Sequence, residues 1–478
     1  MKDQLERESK WEVDQVFTLP VLGDFMPDSR VEETSVELTS TYFDTAERDL
    51  LAHNVTLRRR EGEDESGWQL KVPHARGRVE LLAPLSENLP DELTAVVTGV
   101  SLGKQLHAVT QIRTLRNRHR ILGPGDELIV EIDDDTVRAT PADESADTLA
   151  WREVEVELGP HTDEVPAALV DSLTEAGAHT SEYPSKLSRA LPEWSEPAGT
   201  DRAAQRAIRD YMTTQIDLIF TGDVELRRGR DPIHDTRVAA RRLRSTLRVF
   251  GKLLDRTAVG DVENELKWFA GLLGEVRDCH VQRRRLADRI KELPPQLVLG
   301  PVAARIEATL LERQLPGRDA LAEAMDTPRY LQLLATLQAW RSAPPFGARI
   351  RRRDLVKRAH KAALKADRRL TTALQNQRAE SFHRARKAAK RARYAAELHK
   401  PVRKSGRAKS KIAYYKSLQR VLGDYNDGRV SSEFLWRTAV SAGTEPRENG
   451  FTYGLLYANE MHAADRARER VAAIAAAR

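Results

Sequence analysis

The spacing of apolar residues changes character near residue 195. Upstream, apolar and polar positions alternate with a period of two, most clearly over 153–158, where Glu alternates with Val or Leu. Turn-forming sequences such as GPGD at 123–126 separate such segments, which predicts antiparallel strands with one intruding helix around 164–176. Downstream, apolar residues lie three and four apart over long stretches rich in Ala, Leu, Arg and Glu, which predicts an all-helical region.

The helical region contains an internal repeat. The segment HDTRVAARRLR at 234–244 matches HRARKAAKRAR at 383–393, an offset of 149 (383 − 234). The segment LLGEVRDCHV at 272–281 matches VLGDYNDGRV at 421–430 with the same offset. Two matches that share one offset predict a duplicated helical unit. The copies are expected at about 200–342 and 348–478, divided by APPFG at 343–347.

Charge divides the chain at the same place as the spacing. The 478 residues contain 77 Lys and Arg against 72 Asp and Glu, a net charge of +5. Residues 1–195 hold 20 basic and 39 acidic side chains, a net of −19, whereas residues 196–478 hold 57 and 33, a net of +24. Two prolines, a glycine and small polar residues at 190–201 are typical of a linker. The predicted domains are 1–195 and 200–478.

Composition excludes several classes of protein. The single cysteine, Cys279, leaves no disulfide framework and no Cys-rich zinc module. No apolar run reaches the roughly 18 residues that span a bilayer, and the charged start MKDQLERESK lacks the apolar core of a signal peptide. We therefore expect a cytoplasmic protein with no membrane partner.

Charged residues in the first domain alternate along strands and are segregated by sign. Glu6, Glu8 and Lys10 would share one face of a strand, and for this segment alone a solvated sheet face is the favoured interpretation. The pattern recurs, however, in strands that are either basic or acidic. The basic positions are Arg58, Arg60, Lys71, Arg116, Arg118 and Arg120, and the acidic positions are Glu131, Asp133, Glu153, Glu155 and Glu157.

This segregation by strand favours a lined cavity over an ordinary surface, because soluble surfaces usually intersperse charges of both signs. A sheet that curls so that these faces line a lumen would place carboxylates on one wall and Arg and Lys on another. Carboxylate oxygens suit a hard divalent cation, and Arg and Lys suit phosphate oxygens. The pattern therefore predicts a tunnel for a polyphosphate chain with a metal counterion. The acids of 61–65 fall outside this pattern.

The first domain resembles the CYTH domain of the triphosphate tunnel metalloenzymes. The pieces that carry the resemblance cover almost all of 1–190 in order. They are E-x-E-x-K at 6–10, YFDT at 42–45, LRRR at 57–60, WQLK at 68–71, GRVE at 77–80, the Arg-rich strand at 113–120, EIDDD at 131–135, EVEVE at 153–157 and SKLSR at 185–189. The resemblance implies an eight-stranded antiparallel tunnel with flanking helices, which acts on triphosphates with Mg²⁺ or Mn²⁺.

Residue roles follow from this resemblance, position by position. The expected metal ligands are Glu6, Glu8, Asp133, Glu155 and Glu157. The expected phosphate-contacting and catalytic residues are Lys10, Arg58, Arg60, Lys71, Arg116, Arg118, Glu153 and Lys186. The DDD at 133–135 leaves the acidic register open between Asp133 and Asp134. Positioning and electrostatics dominate phosphoryl transfer. Because the sequence shows no serine or cysteine nucleophile constellation, a metal-activated water is the expected nucleophile.

The second domain carries a basic stripe that is built twice. Residues spaced three and four apart share one side of a helix, where like charges repel. Because the stripe contains no acid and occurs twice, a polyanion site is favoured over a solvated basic face. The expected polyphosphate-binding residues are His234, Arg237, Arg241, Arg244, Arg248, His383, Arg386, Lys390, Arg393 and Lys416.

This domain resembles the CHAD domain, an all-α domain of two helical bundles. The two His-led stripes and the LGxxxD segments at Leu273–Asp278 and Leu422–Asp427 carry the resemblance over about 200–478. It implies binding of long inorganic polyphosphate without catalysis. Nucleic acid is the competing partner for a basic stripe. The chain has no recognition-helix, zinc or RNP-type motif and only 6% aromatic residues for base stacking, so we expect no specific nucleic-acid binding.

The sequence thus predicts an α+β protein with an eight-stranded tunnel followed by two duplicated helical bundles. The expected activity is metal-dependent hydrolysis of inorganic triphosphate, with polyphosphate bound by the helical domain and an association with polyphosphate granules. Two alternatives stay open. The first is a polyphosphate-binding protein with a weak or vestigial tunnel, and the second is an organic triphosphatase or adenylyl cyclase. The oligomeric state does not follow from the sequence.

Overall fold

The computed structural model describes residues 2–22, 29–62, 65–74, 77–142, 147–191, 203–347, 349–402, 406–445 and 448–477. The chain divides into two compact units, Met1–Glu196 and Pro197–Arg478. Most of the expected linker, 192–201, lies outside the described residues, so the domain limits stay a prediction. Within the described ranges, every helix is too short or too polar to cross a membrane.

The first unit is built on one antiparallel sheet with short helices. Its strands are β1 (Lys2–Glu6), β2 (Glu8–Val13), β3 (Arg30–Asp44), β4 (Thr56–Glu61), β5 (Gly67–His74), β6 (Gly77–Ala83), β7 (His107–Leu122), β8 (Leu128–Pro141), β9 (Leu149–Leu158) and β10 (His179–Thr180). Its helices are α1 (Asp49–Ala52), α2 (Asp91–Val97), α3 (Ala167–Glu175) and α4 (Lys186–Ala190). The helix expected around 164–176 is α3.

The expected count of eight strands is not confirmed. The described residues form ten strands in the open order β1-β6-β5-β4-β3-β7-β8-β9-β2-β10. Two features account for the difference, since Arg7 interrupts the first strand between β1 and β2, and the two-residue β10 adds to an edge. Because only Arg7 separates β1 from β2, the chain itself connects one end of the strand order to the strand next to its other end. The sheet therefore curls around an interior lined by Glu6 and Glu8.

The apolar core of this unit lies outside the curl, beneath the helices. Val154 and Val156 of β9 are fully buried and pack in one cluster with Leu169 and Leu173 of α3. The charged residues that alternate with them point to the other face. Burial of each such side chain contributes roughly 1.5–3 kcal/mol, which stabilises a sheet whose inner face is charged.

The second unit is helical. Its helices are α5 (Ala203–Arg227), α6 (Ile233–Phe250), α7 (Arg256–Val259), α8 (Val262–Lys291), α9 (Val302–Met325), α10 (Pro328–Ser342), α11 (Arg352–Asn376), α12 (Ala379–His399), α13 (Gly406–Ala442) and α14 (Phe451–Ala476). The helix starts repeat with the sequence offset, since α5 and α11 begin at 203 and 352, and α9 and α14 at 302 and 451. The arrangement as two duplicated bundles is not confirmed beyond this correspondence.

Small side chains let the stripe-bearing helices pack closely. In α12, Ala385 and Ala389 are buried in one cluster with Leu370 of α11 and with Leu418 and Val421 of α13. Since side chains three and four apart share a side of a helix, this packing leaves the basic stripe of α12 on a different side.

Candidate functional site

Strand pairing brings three carboxylates side by side at one end of the sheet interior. Glu157 of β9 lies opposite Glu8 of β2 and opposite Glu131 of β8, and like charges directly opposite each other destabilise a sheet. Burial raises the pKa of Glu157 to about 8, and Glu6, Glu131 and Glu8 add to the rise against the effect of Lys71. Among the described residues, buried Oε2 of Glu6 has no hydrogen-bond partner. This acidic corner therefore fits a hard divalent cation.

A second group of carboxylates converges on Lys186 rather than on open space. Oxygens of Asp135, Glu153 and Glu155 lie within 4.8 Å of one another, and Nζ of Lys186 lies 2.8, 2.9 and 2.7 Å from them. Lys186 is the first residue of α4, whose start is fixed by Ser185 because its Oγ accepts from the backbone N–H of residue 188. The ammonium group neutralises a cluster that would otherwise attract a cation.

Arg116 holds the carboxylates in the middle of the interior. Its guanidinium donates to both oxygens of Asp135 at 2.8 and 2.7 Å and contacts Asp133 at 2.5 Å. Burial and neighbouring carboxylates nevertheless raise the pKa of Asp133 to about 7. Asp134 points to the opposite face, where Arg152 donates to both its oxygens at 2.9 and 2.6 Å. The structure thus places Asp133, and not Asp134, inside.

The opposite wall is cationic. Nε of Arg58 donates to Gln69 Oε1 at 2.6 Å, and its Nη1 donates to the hydroxyl of Tyr42 at 3.0 Å. Arg60 is buried beside Arg58 and Arg116, and burial together with these two guanidinium groups lowers the pKa of Arg60 to about 10. The crowding of positive charge favours an anion here.

These walls enclose a cavity of about 670 Å³, the sheet cavity. Twelve expected site residues line it, namely Glu6, Glu8, Lys10, Arg58, Arg60, Lys71, Arg116, Arg118, Asp133, Glu155, Glu157 and Lys186. Glu153 is outside this lining and accepts from Trp151 Nε1 at 2.6 Å. Lining residues without an expected role include Tyr42, Glu65, Gln69, Arg78, Glu80, Arg120 and Glu131. The period-two alternation could have placed Arg120 and Glu131 among the expected site residues, since both lie on the charged faces that it predicts.

The helical unit contains a cavity of about 610 Å³, the helical cavity, into which the stripes of α6 and α12 converge. Eight expected residues line it, namely His234, Arg237, Arg241, Arg244, Arg248, His383, Arg386 and Lys390. Lys416 is outside this lining, and so is Arg393, whose Nε donates to Glu397 at 2.7 Å. Four cationic residues also line this cavity although the stripe pattern did not predict them, namely Arg277, Arg285, Lys387 and Arg391.

In both copies of the repeat, a glycine of the LGxxxD segment lies against the guanidinium group of a stripe arginine. A Cβ at Gly274 would lie 2.9 Å from Nη2 of Arg237, and a Cβ at Gly423 would lie 3.4 Å from Nη2 of Arg386. In the first copy, Arg237 donates to Asp278 at 2.7 and 3.3 Å. The LGxxxD segments therefore give space for the stripe arginines, and the first also anchors its arginine.

Positive charge in the helical cavity is poorly compensated. Burial lowers the pKa of Lys390 to about 7, and the guanidinium groups of Arg386, Arg241 and Arg237 add to the fall. Burial also lowers the pKa of His234, with Arg277 as the next cause. A polyanion would relieve this repulsion, so the electrostatics favour a ligand with many negative charges.

Known proteins resemble both units. The model of the CYTH domain matches residues 4–191, and the model of the CHAD domain matches residues 210–436. An uncharacterized protein of Mycobacterium tuberculosis H37Rv is 32% identical, over 98% of this chain and 95% of that protein. The CHAD domain from the plant Ricinus communis is 24% identical over 58% of this chain and 93% of its own, with a TM-score of 0.48. A Hippeastrum protein with a dominant triphosphatase activity is 19% identical over 40% of this chain and 98% of its own, with a TM-score of 0.22.

Proposed function

This chain belongs to the proteins in which a CYTH domain precedes a CHAD domain, and on this premise we propose that it is a metal-dependent inorganic triphosphatase whose helical domain binds polyphosphate. The observation that carries the first part is the charge division of the sheet cavity, in which a corner of carboxylates around Glu157, whose pKa is raised, faces a crowded cationic wall. Such a division suits a ligand that is itself a polyanion with a cation bound to it.

The lining favours an inorganic substrate over a nucleotide. Of the aromatic side chains among the described lining residues, Trp68 is buried against Phe43 at 5.0 Å and donates to Ser86. The hydroxyl of Tyr42 accepts from Arg58. The ring of Trp68 contacts Phe43, and the guanidinium of Arg58 lies over the ring of Tyr42, 5.9 Å from its centroid, whereas recognition of a base commonly uses a free aromatic face. An organic triphosphatase or adenylyl cyclase is the alternative.

The residues that fit a divalent cation best are Glu6, Glu8 and Glu157, with Glu131 beside them. Oε2 of Glu6 has no partner among the described residues, and Glu157 lacks a cation strong enough to keep its pKa low. Glu6 and Glu8 each pair with one lysine, Lys71 and Lys10, whereas Glu155 would have to give up pairs with three cations, Lys10, Arg116 and Lys186, to join them. When bound there, Mg²⁺ or Mn²⁺ would supply Lewis-acid polarisation of a phosphoryl oxygen and activation of water.

The chain's own cations would bind the phosphates and stabilise charge on the leaving group. Arg58 and Arg60 lie on one strand of the cationic wall, and Arg116 and Lys186 lie among the central carboxylates. Guanidinium groups suit phosphate oxygens because they offer several donors in a fixed plane. Substrate binding would exchange intramolecular ion pairs for pairs with phosphate, so the positions of these cations are established before the substrate arrives.

The test is phosphate release from inorganic triphosphate by the full chain with Mg²⁺ or Mn²⁺. The double variant Glu6→Gln and Glu8→Gln should lose at least about 100-fold in kcat/KM, in line with the loss of charge stabilisation at phosphoryl-transfer sites. Glu37→Gln on the exposed part of β3 removes one carboxylate outside the cavity and should retain activity. Wild-type turnover no better than that of the double variant would leave the binding-protein alternative. Faster turnover of ATP or thiamine triphosphate would favour the organic alternative.

The proposal for the helical domain is supported by the convergence of both stripes on one cavity with little acidic compensation. In the full chain, Arg237→Glu with Arg386→Glu should weaken binding of long polyphosphate at least about tenfold, because two cavity cations become anions. Arg437→Glu is the matched control, since this side chain is 71% exposed outside the cavity. Unchanged polyphosphate affinity in the double variant would contradict the assignment, as would tighter binding of single-stranded DNA of equal charge.

A further inference from the structure

Glu65 is an acidic residue inside the sheet cavity that the proposed chemistry does not use. It lies in the connection between β4 and β5, at the end of the cavity where these strands turn. One carboxylate oxygen pairs with Nη1 of Arg60, and the other pairs with Nη2 of Arg118. Both arginines belong to the proposed phosphate-contacting set, and they come from different strands.

The carboxylate of Glu65 takes the place that a phosphate group would take. Two oxygens that bridge two guanidinium groups reproduce the pairing of a terminal phosphate with arginines. Burial alone would raise the pKa of Glu65, but Arg60 and Arg118 lower it to about 2. The carboxylate is therefore ionised and held by the cationic wall, which it partly neutralises in the absence of substrate.

The turn itself does not depend on this contact. The backbone N–H of Gly62 donates to Ser66 Oγ at 3.1 Å, and the hydroxyl of Ser66 donates to the carbonyl of Gly62, so the connection is closed by its own ends. Glu61, at the end of β4, pairs instead with Arg59 at 2.6 Å and is outside the cavity lining. Of these two described acids, Glu65 contacts the cationic wall and Glu61 does not.

We propose that Glu65 is an internal surrogate for phosphate, which occupies the subsite formed by Arg60 and Arg118 and is displaced by a terminal phosphate of the substrate. This inference rests on the proposed triphosphatase function. A built-in competitor weakens binding of every phosphate chain that reaches the subsite. It also favours release of the diphosphate product, because the carboxylate returns to the arginines as the product leaves.

The test compares Glu65→Gln with Glu61→Gln in the full chain. Calorimetry with inorganic triphosphate in EDTA measures binding without turnover. Glu65→Gln should bind about tenfold more tightly than wild type, because a charged competitor for two arginines is lost. With metal, its KM for triphosphate and the inhibition constant of diphosphate should fall by a similar factor. Glu61→Gln should match wild type in both measurements.

Other outcomes separate the two hypotheses. Wild type that does not hydrolyse triphosphate overturns the proposed function, whereas the binding experiment in EDTA still reports on Glu65. If wild type hydrolyses triphosphate but a folded Glu65→Gln binds it equally well or more weakly, only this inference is overturned. Glu65 would then serve to position the two arginines. Glu65→Asp keeps the charge with a shorter reach, so it should fold and bind with intermediate affinity. If Glu65→Gln does not fold, Glu65→Asp with unchanged affinity overturns the inference.

Discussion

Polyphosphate binding by the helical domain should weaken as the pH rises above about 7, because a cavity lysine then loses its charge. Burial and the guanidinium groups of Arg386, Arg241 and Arg237 lower the pKa of Lys390 to about 7, against the effect of Asp427. A bound polyanion adds attraction and raises that pKa toward the ordinary lysine value of about 10.4. Between these values, binding of the ligand takes up a proton.

The magnitude follows from the linkage of binding to proton uptake. Each pH unit between the free and the bound pKa weakens binding by up to about tenfold, or about 1.4 kcal/mol. If the pKa of Lys390 in the bound state is about 9, the affinity falls about 20-fold between pH 7.5 and 9.5. Stability of the ligand-free domain changes in the opposite direction. The lowered pKa of Lys390 means that the unfolded chain binds more protons between about pH 7 and 10, so stability rises with pH across that window.

Calorimetry of the full chain with long polyphosphate, in EDTA and in buffers of different ionisation enthalpy, measures both affinity and proton uptake. Lys390→Arg keeps the positive charge and should abolish the pH dependence and most of the uptake near pH 8.5. Lys387→Arg changes a neighbouring cavity lysine and should retain both. Work between pH 7.5 and 9.5 keeps His234 and His383 largely neutral in the free domain, since burial lowers the pKa of each below its ordinary value. Lys390→Arg retains both histidines, so comparison with it subtracts any proton that they take up on binding. Equal slopes for wild type and Lys390→Arg would refute the reasoning.

Two further predictions concern the repeat glycine and the acidic corner. Gly274→Ala should weaken polyphosphate binding by about threefold or more in the same assay, because the added Cβ displaces a stripe arginine. Gly271→Ala in the same helix meets nothing within 4 Å, and denaturant unfolding should show only a gain of about 0.5–1 kcal/mol. The pKa of Glu157 is raised to about 8 in the folded chain, against about 4.3 for an unperturbed glutamate. Between these pH values the folded chain binds more protons than the unfolded chain, so the melting temperature of the metal-free protein should fall from pH 5 to 8. Glu157→Gln or saturating Mg²⁺ should reduce that fall, and a slope unchanged in Glu157→Gln would contradict the assignment.

Period-two alternation predicted most of the charged side chains that line the sheet cavity, because strand geometry fixes the face of every second residue. It could not decide between Asp133 and Asp134, since three consecutive aspartates satisfy either register. Only the pairing of β8 with β7 and β9 places Asp133 opposite Arg118 and Glu155. Asp133 then contacts Arg116 inside the cavity, and Asp134 contacts Arg152 on the other face. The break at Arg7 was equally hidden, because no proline or glycine marks it.

Helical spacing was less decisive in the second domain. A stripe with steps of three and four has a mean period of 3.5 and drifts around a helix with 3.6 residues per turn. Arg393 comes last in its stripe and pairs with Glu397 one turn on, outside the cavity. That acid was visible in the sequence and could have removed Arg393 from the site. Arg277 lies on another helix, and only tertiary packing brings it to the same cavity.

The two cavities hold charge in different ways, and this difference predicts how each selects its ligand. In the sheet cavity, cations are paired with acids of the chain, as in Lys71 with Glu6 and Lys186 with three carboxylates. A ligand must exchange those pairs, which favours a compact and highly charged group that brings its own metal. In the helical cavity, burial together with repulsion among cations lowers the pKa of Lys390 to about 7. Attraction there depends on net charge, so added salt should weaken polyphosphate binding more steeply than triphosphate binding.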